Sequence, residues 1–277
     1  MHRPSCSVRI LDSDFVLECD DVRWIRFLGQ IWEPFAQEPS HERSESRLII
    51  SQQANVWTVE GAGLGGFGSH DAGGVAGWIR NALFRRALED AKGLSAIHAS
   101  AVERDGVAVL LAGNSGVGKT TLALEMLRSG WKVVADDLVP IRHDGTITPF
   151  FKPLSVKDSS SFRDWYHESW TWPEDPDAAY LIPVSALPRT VQVQMSISTV
   201  IFPTFELGRP RGALEIVSPG IGLAESIRHL YRSTPEVVRS FSKATTGSAW
   251  WSIRFGSPDQ AMHELQSMLL SSYAVGG

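Results

Sequence analysis

The stretch LLAGNSGVGKTTLALEMLRSGWKVVADDLVPI, Leu110 to Ile141, decides the fold. It begins with an apolar run, continues into a glycine-rich turn that ends in Lys-Thr, and then has apolar residues at helical spacing. A second apolar run, WKVVA, follows and ends in two adjacent aspartates. A strand, a phosphate-binding turn, a helix and a second strand in this order predict an α/β nucleotide-binding core.

The glycine-rich turn matches the pattern G-x-x-x-x-G-K-[ST] at every constrained position. Its residues are Gly113, Asn114, Ser115, Gly116, Val117, Gly118, Lys119 and Thr120, with Thr121 directly after them. The glycines let backbone N–H groups surround a β-phosphate, and the helix N-terminus adds partial positive charge. We therefore predict that the loop binds a nucleoside triphosphate, taken as ATP with GTP left open, and Mg²⁺. Lys119 would reach the β- and γ-phosphates, and the Thr120 hydroxyl would bind the metal.

Asp136 and Asp137 follow Thr120 after a short helix and one strand. In P-loop proteins an aspartate at a strand end holds Mg²⁺, and one carboxylate is enough for that task. A second carboxylate can act as general base toward a hydroxyl beside the γ-phosphate. Without metal, each negative charge is expected to raise the pKa of the other carboxyl. The pair therefore favours phosphoryl transfer, although an acidic strand-to-turn boundary is the purely structural alternative.

The rest of the chain predicts an α/β fold in which helices flank a mixed sheet, with a small β-rich N-terminal region. Residues 1–72 form that region, and residues 73–277 form the P-loop domain. The glycine-rich segment Gly61 to Gly74 is typical of a flexible turn or linker. The segment LSAIHASAVER predicts one strand, paired in a hairpin with GVAVLLAG.

Composition excludes several classes of protein. The 277 residues are 43% hydrophobic and 21% charged, which is ordinary for a globular protein. The net charge of −5 argues against nucleic acid as the main partner. No segment approaches a membrane span, and with only two cysteines a reduced cytoplasmic setting is the simplest expectation. Ten tryptophans exceed what this length predicts.

The stretch IHASAVERDGVAVLLAGNSGVGKTTLALEMLRSGWKVVADDLV closely resembles the core of HPr kinase/phosphorylase. That core has a histidine-bearing strand, a hairpin, the phosphate loop, a helix ending in Arg-Gly and a strand ending in Ala-Asp-Asp. The resemblance implies that Asp136 is the base for a substrate serine, that Asp137 helps Thr120 to hold Mg²⁺, and that His98 orients or tunes the pair. By itself, a single histidine in an apolar strand is more often a core residue.

The likeness also has gaps. The segment PGIGLA is similar to the family's Pro-Gly-Arg-Asn-Leu-Ala, but Ile221 and Gly222 stand where the family has Arg and Asn. The Glu-x-Arg-Gly-(Leu/Ile)-Gly signature has no clear counterpart. Phosphorylase activity and recognition of the carrier protein HPr are therefore not implied. The overall layout resembles the HPr-kinase-related enzymes of peptide natural-product clusters, such as the lasso-peptide precursor serine kinases.

Further cations and aromatic residues are candidates for the substrate side. Lys152 and Lys157 follow the acidic pair and are candidate second cations, with ordinary surface lysines as the alternative. Three arginines on late helices are weaker candidates: Arg228, Arg232 and Arg239. The segment Arg163 to Tyr180 is rich in tryptophan and tyrosine, which is typical of a lid or peptide-contact surface and equally of aromatic packing.

Three functions remain open at this point. The first is a kinase that acts on a serine or threonine of a peptide or small protein, with no role for nucleic acid or membrane. The second is a small-molecule kinase on the same core. The third is a nucleotide-dependent switch or binding module without catalysis, which would have no need for a hydroxyl base. The oligomeric state is also open, and a homo-oligomer is one alternative.

Overall fold

The computed structural model describes residues 3–37, 47–156, 180–182, 187, 191 and 193–273. The chain divides into two compact units. Unit 1 contains Met1–Lys92 and Pro153–Leu187, and unit 2 contains Gly93–Lys152 and Pro188–Gly277. These are units of packing, and the division into functional regions at residues 72 and 73 stays a prediction.

Unit 1 is built on a six-stranded mixed sheet with the strand order β3-β1-β2-β4-β5-β6. Strands β2 and β4 are parallel, and the other neighbouring pairs are antiparallel. Strands β12 and β13 form a separate antiparallel pair. The strands are β1 Ser5–Ile10, β2 Ser13–Cys19, β3 Ala36–Gln37, β4 Arg47–Gln53, β5 Val56–Gly61, β6 Phe67–Ser69, β12 Leu154–Val156 and β13 Tyr180–Ile182.

Two helices, α1 (Val22–Ile31) and α2 (Ala72–Asp90), pack on this sheet, and a short 3₁₀ turn covers Glu33–Phe35. Trp24 and Trp32 are fully buried there. The ring of Trp32 stacks on Phe84 with centroids 5.0 Å apart. Part of the tryptophan excess therefore belongs to the core of unit 1, where large aromatic side chains bury much apolar area.

The glycine-rich segment between β5 and α2 is part of the sheet. Strand β6 lies within it, pairs antiparallel with β5, and carries Phe67, whose ring stacks on Trp78 at 5.5 Å. The Asp71 carboxylate then caps α2 by accepting hydrogen bonds from the Gly73 and Gly74 amides. The prediction of a flexible turn or linker is wrong for residues 67–69, which edge-strand pairing holds, and for residues 72–74, which begin the capped helix α2.

Unit 2 is built on a second six-stranded mixed sheet with the order β10-β8-β9-β14-β16-β15. Strands β9, β14 and β16 are parallel to one another, and β10, β8 and β15 pair antiparallel with their neighbours. The strands of unit 2 are β7 Leu94–Ile97, β8 Ala99–Arg104, β9 Val107–Ala112, β10 Lys132–Ala135, β11 Val139–Arg142, β14 Ile197–Phe205, β15 Ala213–Ile216 and β16 Ala249–Phe255. Its helices are α3 Lys119–Arg128, α4 Pro219–Ile227, α5 Pro235–Ala244 and α6 Pro258–Tyr273.

The predicted histidine-bearing strand is broken at His98. Strand β7 ends at Ile97 and pairs with β11, whereas β8 begins at Ala99 and joins the main sheet. At the break, the His98 amide donates a 2.8 Å hydrogen bond to the carbonyl of His229, which follows α4. The expectation of one continuous strand is wrong, because the chain changes sheets at this residue and a distant segment satisfies its backbone.

The core of unit 2 lies between the sheet and two helices on one face. Buried apolar residues of β8, β9, β14 and β16 pack there against residues of α3 and α6. The predicted α/β class, with a mixed sheet, flanking helices and an additional β-rich N-terminal region, is confirmed. In the described part of the chain, no helix has the length and apolarity needed to cross a membrane.

Candidate active site

The phosphate loop connects β9 to α3 as predicted. Gly113, Gly116 and Gly118 have φ values of 151°, 85° and 95°, which non-glycine residues rarely adopt. A Cβ on Gly113 would lie 3.1 Å from a Val117 methyl carbon, and one on Gly118 would lie 3.1 Å from the Phe255 ring. The backbone conformation therefore favours glycine at all three positions, and close packing also favours it at Gly113 and Gly118.

The Lys119 ammonium lies inside the loop. Its Nζ donates to the carbonyls of Gly113 (2.9 Å) and Asn114 (2.8 Å) and lies 3.1 Å from Nε2 of His98. Burial lowers the pKa of Lys119, and the charges of the two aspartates act in the opposite direction. An ammonium has three hydrogens to donate and no lone pair, so these three acceptors use its full capacity.

Those contacts also indicate which His98 ring nitrogen donates and which accepts. Because Lys119 can only donate, Nε2 of His98 must be the acceptor, so the neutral ring carries its proton on Nδ1. Nδ1 lies 2.9 Å from the backbone carbonyl of Asp137 and 3.1 Å from its Oδ1, and it donates toward both. His98 therefore contacts both the phosphate-loop lysine and the second aspartate, and its role in orienting or tuning the acidic pair stays a prediction.

Asp136 follows β10 directly and is almost fully buried, with 3% exposure. Its carboxylate accepts from the Thr120 hydroxyl, which is 3.2 Å from both oxygens, and from the Ser100 hydroxyl at Oδ1. Burial is the main cause that raises the pKa of Asp136, and the charge of Asp137 adds to it. The first aspartate thus faces the residue predicted to bind Mg²⁺.

Asp137 faces a different set of partners. Its backbone has φ 64°, so the chain turns sharply after Asp136. The side chain remains 39% exposed and forms an ion pair with Lys152, which is itself nearly buried. Burial alone would raise the pKa of Asp137, but the hydrogen bond from His98 and the charge of Lys152 together hold it well below its usual value. The predicted increase by the neighbouring charge is therefore confirmed for Asp136, whereas His98 and Lys152 make the net shift of the Asp137 pKa a decrease.

Sequence reasoning missed Ser100 and His229. Ser100 lies two residues after His98, and the period-2 geometry of a strand is the signal that could have found it. His229 is mostly buried, and its Nε2 lies 3.8 Å from Oε1 of Glu225. Burial lowers the pKa of His229, the charge of Glu225 opposes this shift, and the charge of Lys119 adds to it. No local pattern relates His229 to His98, because the two positions are 131 residues apart.

The structure places the other candidate cations and aromatic residues in different environments. The structure brings Lys152 to Asp137, so this lysine is part of the site. Arg228 pairs with Glu225, Arg232 lies over the ring of Tyr231, and Arg239 is exposed on α5. Lys157 and the aromatic residues from Trp165 to Trp172 lie outside the described residues, as does nearly all of the segment Arg163 to Tyr180.

Gly222 is explained by packing. It lies in the first turn of α4, where an added Cβ would overlap the indole ring of Trp250. The neighbouring Ile221 is 68% exposed. A larger residue at position 222, such as the Asn of the family pattern, is thus incompatible with the position of Trp250.

The residues present fit a Mg-nucleotide. The loop glycines adopt the positive φ values of the turn before α3, and the Lys119 ammonium contacts two carbonyls of that turn. The Thr120 hydroxyl and the Asp136 carboxylate converge at 3.2 Å, and hard oxygen atoms of this kind are the ligands that Mg²⁺ takes.

Comparison with known proteins gives one consistent likeness. Residues 91–150 match the family model described as the HPr Serine kinase C-terminal domain. Curated relatives include the HPr kinase/phosphorylase of Bacillus pumilus, 52% identical over 50 residues, which are 18% of this chain and 16% of that protein. That of Shouchella clausii is 41% identical over 63 residues, 22% of this chain and 20% of that protein. The matched segment thus spans a fifth or less of these relatives.

A solved structure is similar over a longer range but more weakly. The Hpr(Ser) kinase/phosphatase from Coxiella burnetii is 15% identical, covers 65% of this chain and 96% of its own, and has a TM-score of 0.33. The family likeness therefore rests on residues 91–150, the segment that carries His98, the phosphate loop and both aspartates. This segment of unit 2 is HPr-kinase-like.

Proposed function

We propose that this protein is an ATP-dependent kinase that transfers the γ-phosphate to a serine or threonine hydroxyl of a peptide or small protein. One observation carries the proposal: an array of side chains at the loop contains both aspartates, with Lys119 linked through His98 to Asp137 and Thr120 bonded directly to Asp136. Phosphoryl transfer depends mainly on positioning and on neutralisation of charge. An array with one carboxylate on the loop side and another toward solvent meets both requirements.

The loop amides and Lys119 hold the phosphates in this proposal, and Lys119 exchanges a loop carbonyl for a phosphate oxygen. Thr120 and Asp136 are the residues that would hold Mg²⁺. The bound metal supplies charge neutralisation on the phosphates. Ser100 keeps the buried Asp136 carboxylate oriented through its hydrogen bond.

Asp137 is the more suitable base for the acceptor hydroxyl. Its carboxylate reaches solvent, whereas that of Asp136 is buried and already accepts from Thr120 and Ser100. The lowered pKa leaves Asp137 ionised at neutral pH but makes it a weaker base than an ordinary carboxylate, so its access to the acceptor hydroxyl is the argument for this role. The resemblance assigns these two roles the other way round. That assignment stays a prediction, and the difference in exposure is the argument for the reverse.

For the acceptor, we propose a peptide serine, such as the terminal serine of a lasso-peptide precursor. The support is the layout of the chain: an HPr-kinase-like segment without the Arg-Asn pair at positions 221 and 222. A small metabolite is the competing acceptor. A switch without catalysis would not need Asp137 exposed beside His98.

Incubation with Mg-ATP and a panel of serine-containing peptides, the HPr protein and metabolites tests the proposal. We expect phosphate on a peptide serine, detected by mass spectrometry. Asp137→Asn should lower the transfer rate by about 10²–10⁴-fold while nucleotide binding stays within a few-fold. Asp136→Asn should instead raise the Mg²⁺ concentration needed for transfer. Full transfer by Asp137→Asn would contradict its role as base, and wild-type protein that binds ATP but phosphorylates nothing would favour the switch.

A further inference from the structure

Phe205 is a large aromatic residue at the surface of unit 2 that the site described above does not use. It is the last residue of β14, and 44% of it is exposed. A single exposed apolar residue is common at protein surfaces and implies no function by itself. Its position relative to the phosphate loop identifies what it could bind.

Strand β14 extends beyond the strand that leads into the loop. Ile201 of β14 pairs with Leu111, one residue before β9 ends at Ala112. Four more residues carry β14 to Phe205, about 13 Å at the usual rise of a strand. A Cβ placed on Gly118 would lie 3.7 Å from Cβ of Phe205. Phe205 is therefore directly beside the last glycine of the loop.

Phe205 lies on the side of the loop opposite the acidic pair. Strand β10, which leads to the aspartates, lies with β8 on one side of β9, and β14 and β16 are on the other. The γ-phosphate must face Asp136 and Asp137 for transfer to occur. The remaining part of the nucleotide then extends away from them, toward β14 and β16.

The ring of Phe205 packs against a buried aromatic ring of the neighbouring strand. Phe255, its partner in the register of β14 and β16, is buried and contacts it edge to face with centroids 5.9 Å apart. The Glu206 amide donates to the Phe255 carbonyl at 2.8 Å and fixes the turn after β14. Because Gly118 has no side chain, nothing from that residue separates the loop from the Phe205 ring.

We propose that Phe205 is the stacking platform for the base of the bound nucleoside triphosphate. The inference deepens the proposed function, because it rests on nucleotide binding by the loop. An aromatic face stacks on any nucleobase, so the platform contributes affinity for ATP and GTP alike. It contributes nothing to a ligand that consists of phosphates alone.

The test compares binding of Mg-ATP, Mg-GTP and magnesium tripolyphosphate, which lacks base and sugar, by calorimetric titration. Phe205→Ala should weaken both nucleotides by about 5- to 100-fold and leave tripolyphosphate within twofold. Phe205→Leu keeps apolar bulk without the aromatic face and should give a smaller loss with the same selectivity, which keeps the test valid if the alanine variant is unstable. Ile216 is an exposed apolar residue on edge strand β15, so Ile216→Ala is the matched control. It should leave the affinities for both nucleotides and for tripolyphosphate unchanged.

The outcomes separate this proposal from the proposed function. Equal losses for nucleotides and tripolyphosphate would mean that Phe205 only supports the loop, and would overturn the platform. Unchanged nucleotide affinity in both variants would also overturn it, and would leave Phe205 as a contact surface for another partner while nucleotide binding stands. Wild-type protein that binds neither ligand would overturn the kinase proposal and the platform together.

Discussion

The two sides of strand β9 carry opposite chemistry. Toward β8 and β10, the side chains are ionisable and already paired: Lys119 with His98, and Asp137 with His98 and Lys152. Toward β14 and β16, the side chains beside the loop are the rings of Phe205 and Phe255. Buried charges need partners, whereas an apolar ring can remain open until a ligand covers it. A nucleotide has the same asymmetry, with phosphates at one end and a flat base at the other.

This difference separates affinity from catalysis. Changes on the polar side should affect transfer more than nucleotide binding, and changes on the apolar side should affect binding of the base. The loop lies between the two sides, so a change there should affect both.

The largest effect is expected from Lys119→Met. The change removes the ammonium that we assign to the phosphates and leaves the Gly113 carbonyl and His98 Nε2 without their donor. Transfer should fall by about 10³-fold or more, and tripolyphosphate binding should weaken together with ATP binding. Rate assays and titrations measure both effects, with thermal unfolding as the check on folding. Transfer within tenfold of wild type would break the assignment of the loop as the phosphate site.

Lys152→Met should have the next largest effect, on the polar side only. Transfer should drop by about 10–100-fold while Mg-ATP affinity stays within threefold. Since Lys152 lowers the pKa of Asp137, its removal should raise that pKa. The base must be ionised, so the acid limb of the pH–rate profile should move to higher pH.

Lys132→Met is the matched control for this change. Lys132 lies on β10 and pairs with Glu103, away from the aspartates. Asp137 is not the titrating base if the acid limb of the pH–rate profile stays in place in Lys152→Met. The same conclusion follows if the control shows an equal shift.

Ser100→Ala should have a smaller effect, about tenfold on transfer. The serine hydroxyl donates to Asp136 and counteracts the burial that raises the pKa of this carboxyl. Its loss should make the carboxylate a poorer metal ligand, so the Mg²⁺ concentration for half-maximal transfer should rise. Ser95→Ala, a buried serine that bonds the Ile141 carbonyl, is the control and should leave that concentration unchanged. An equal change in both variants would indicate a general packing effect.

Gly222→Ala should have the smallest effect on activity and a measurable effect on stability. A methyl group there would meet the Trp250 ring, and overpacking of this kind costs about 1–3 kcal/mol. The unfolding temperature should fall by several degrees while the transfer rate per folded molecule is unchanged. Gly220→Ala on the same helix has open space around its Cβ and should be neutral or slightly stabilising. If Gly222→Ala is as stable as the wild type but its transfer rate changes, α4 must contribute to the active site.

Much of unit 2 could be predicted because its signals are local. The loop pattern, the helix after it and strands β14 and β16 are contiguous runs whose period is visible in the sequence. The break at His98 could not be predicted, because the residues on both sides are equally apolar and the acceptor of its amide is His229. Strand β6 was missed for a similar reason, since three residues in a glycine-rich segment become a strand only by pairing with β5.

The sequence by itself determined the type of loop, its place between strand and helix, and the presence of an acidic pair near it, because each is encoded within a few consecutive residues. Only the tertiary structure decided how the two aspartates differ. Adjacent in the chain, they become a buried carboxylate beside Thr120 and Ser100 and a partly exposed one beside His98 and Lys152. The partners come from separate segments, and burial and neighbouring charge, which set the pKa of a carboxyl, depend on where those segments meet.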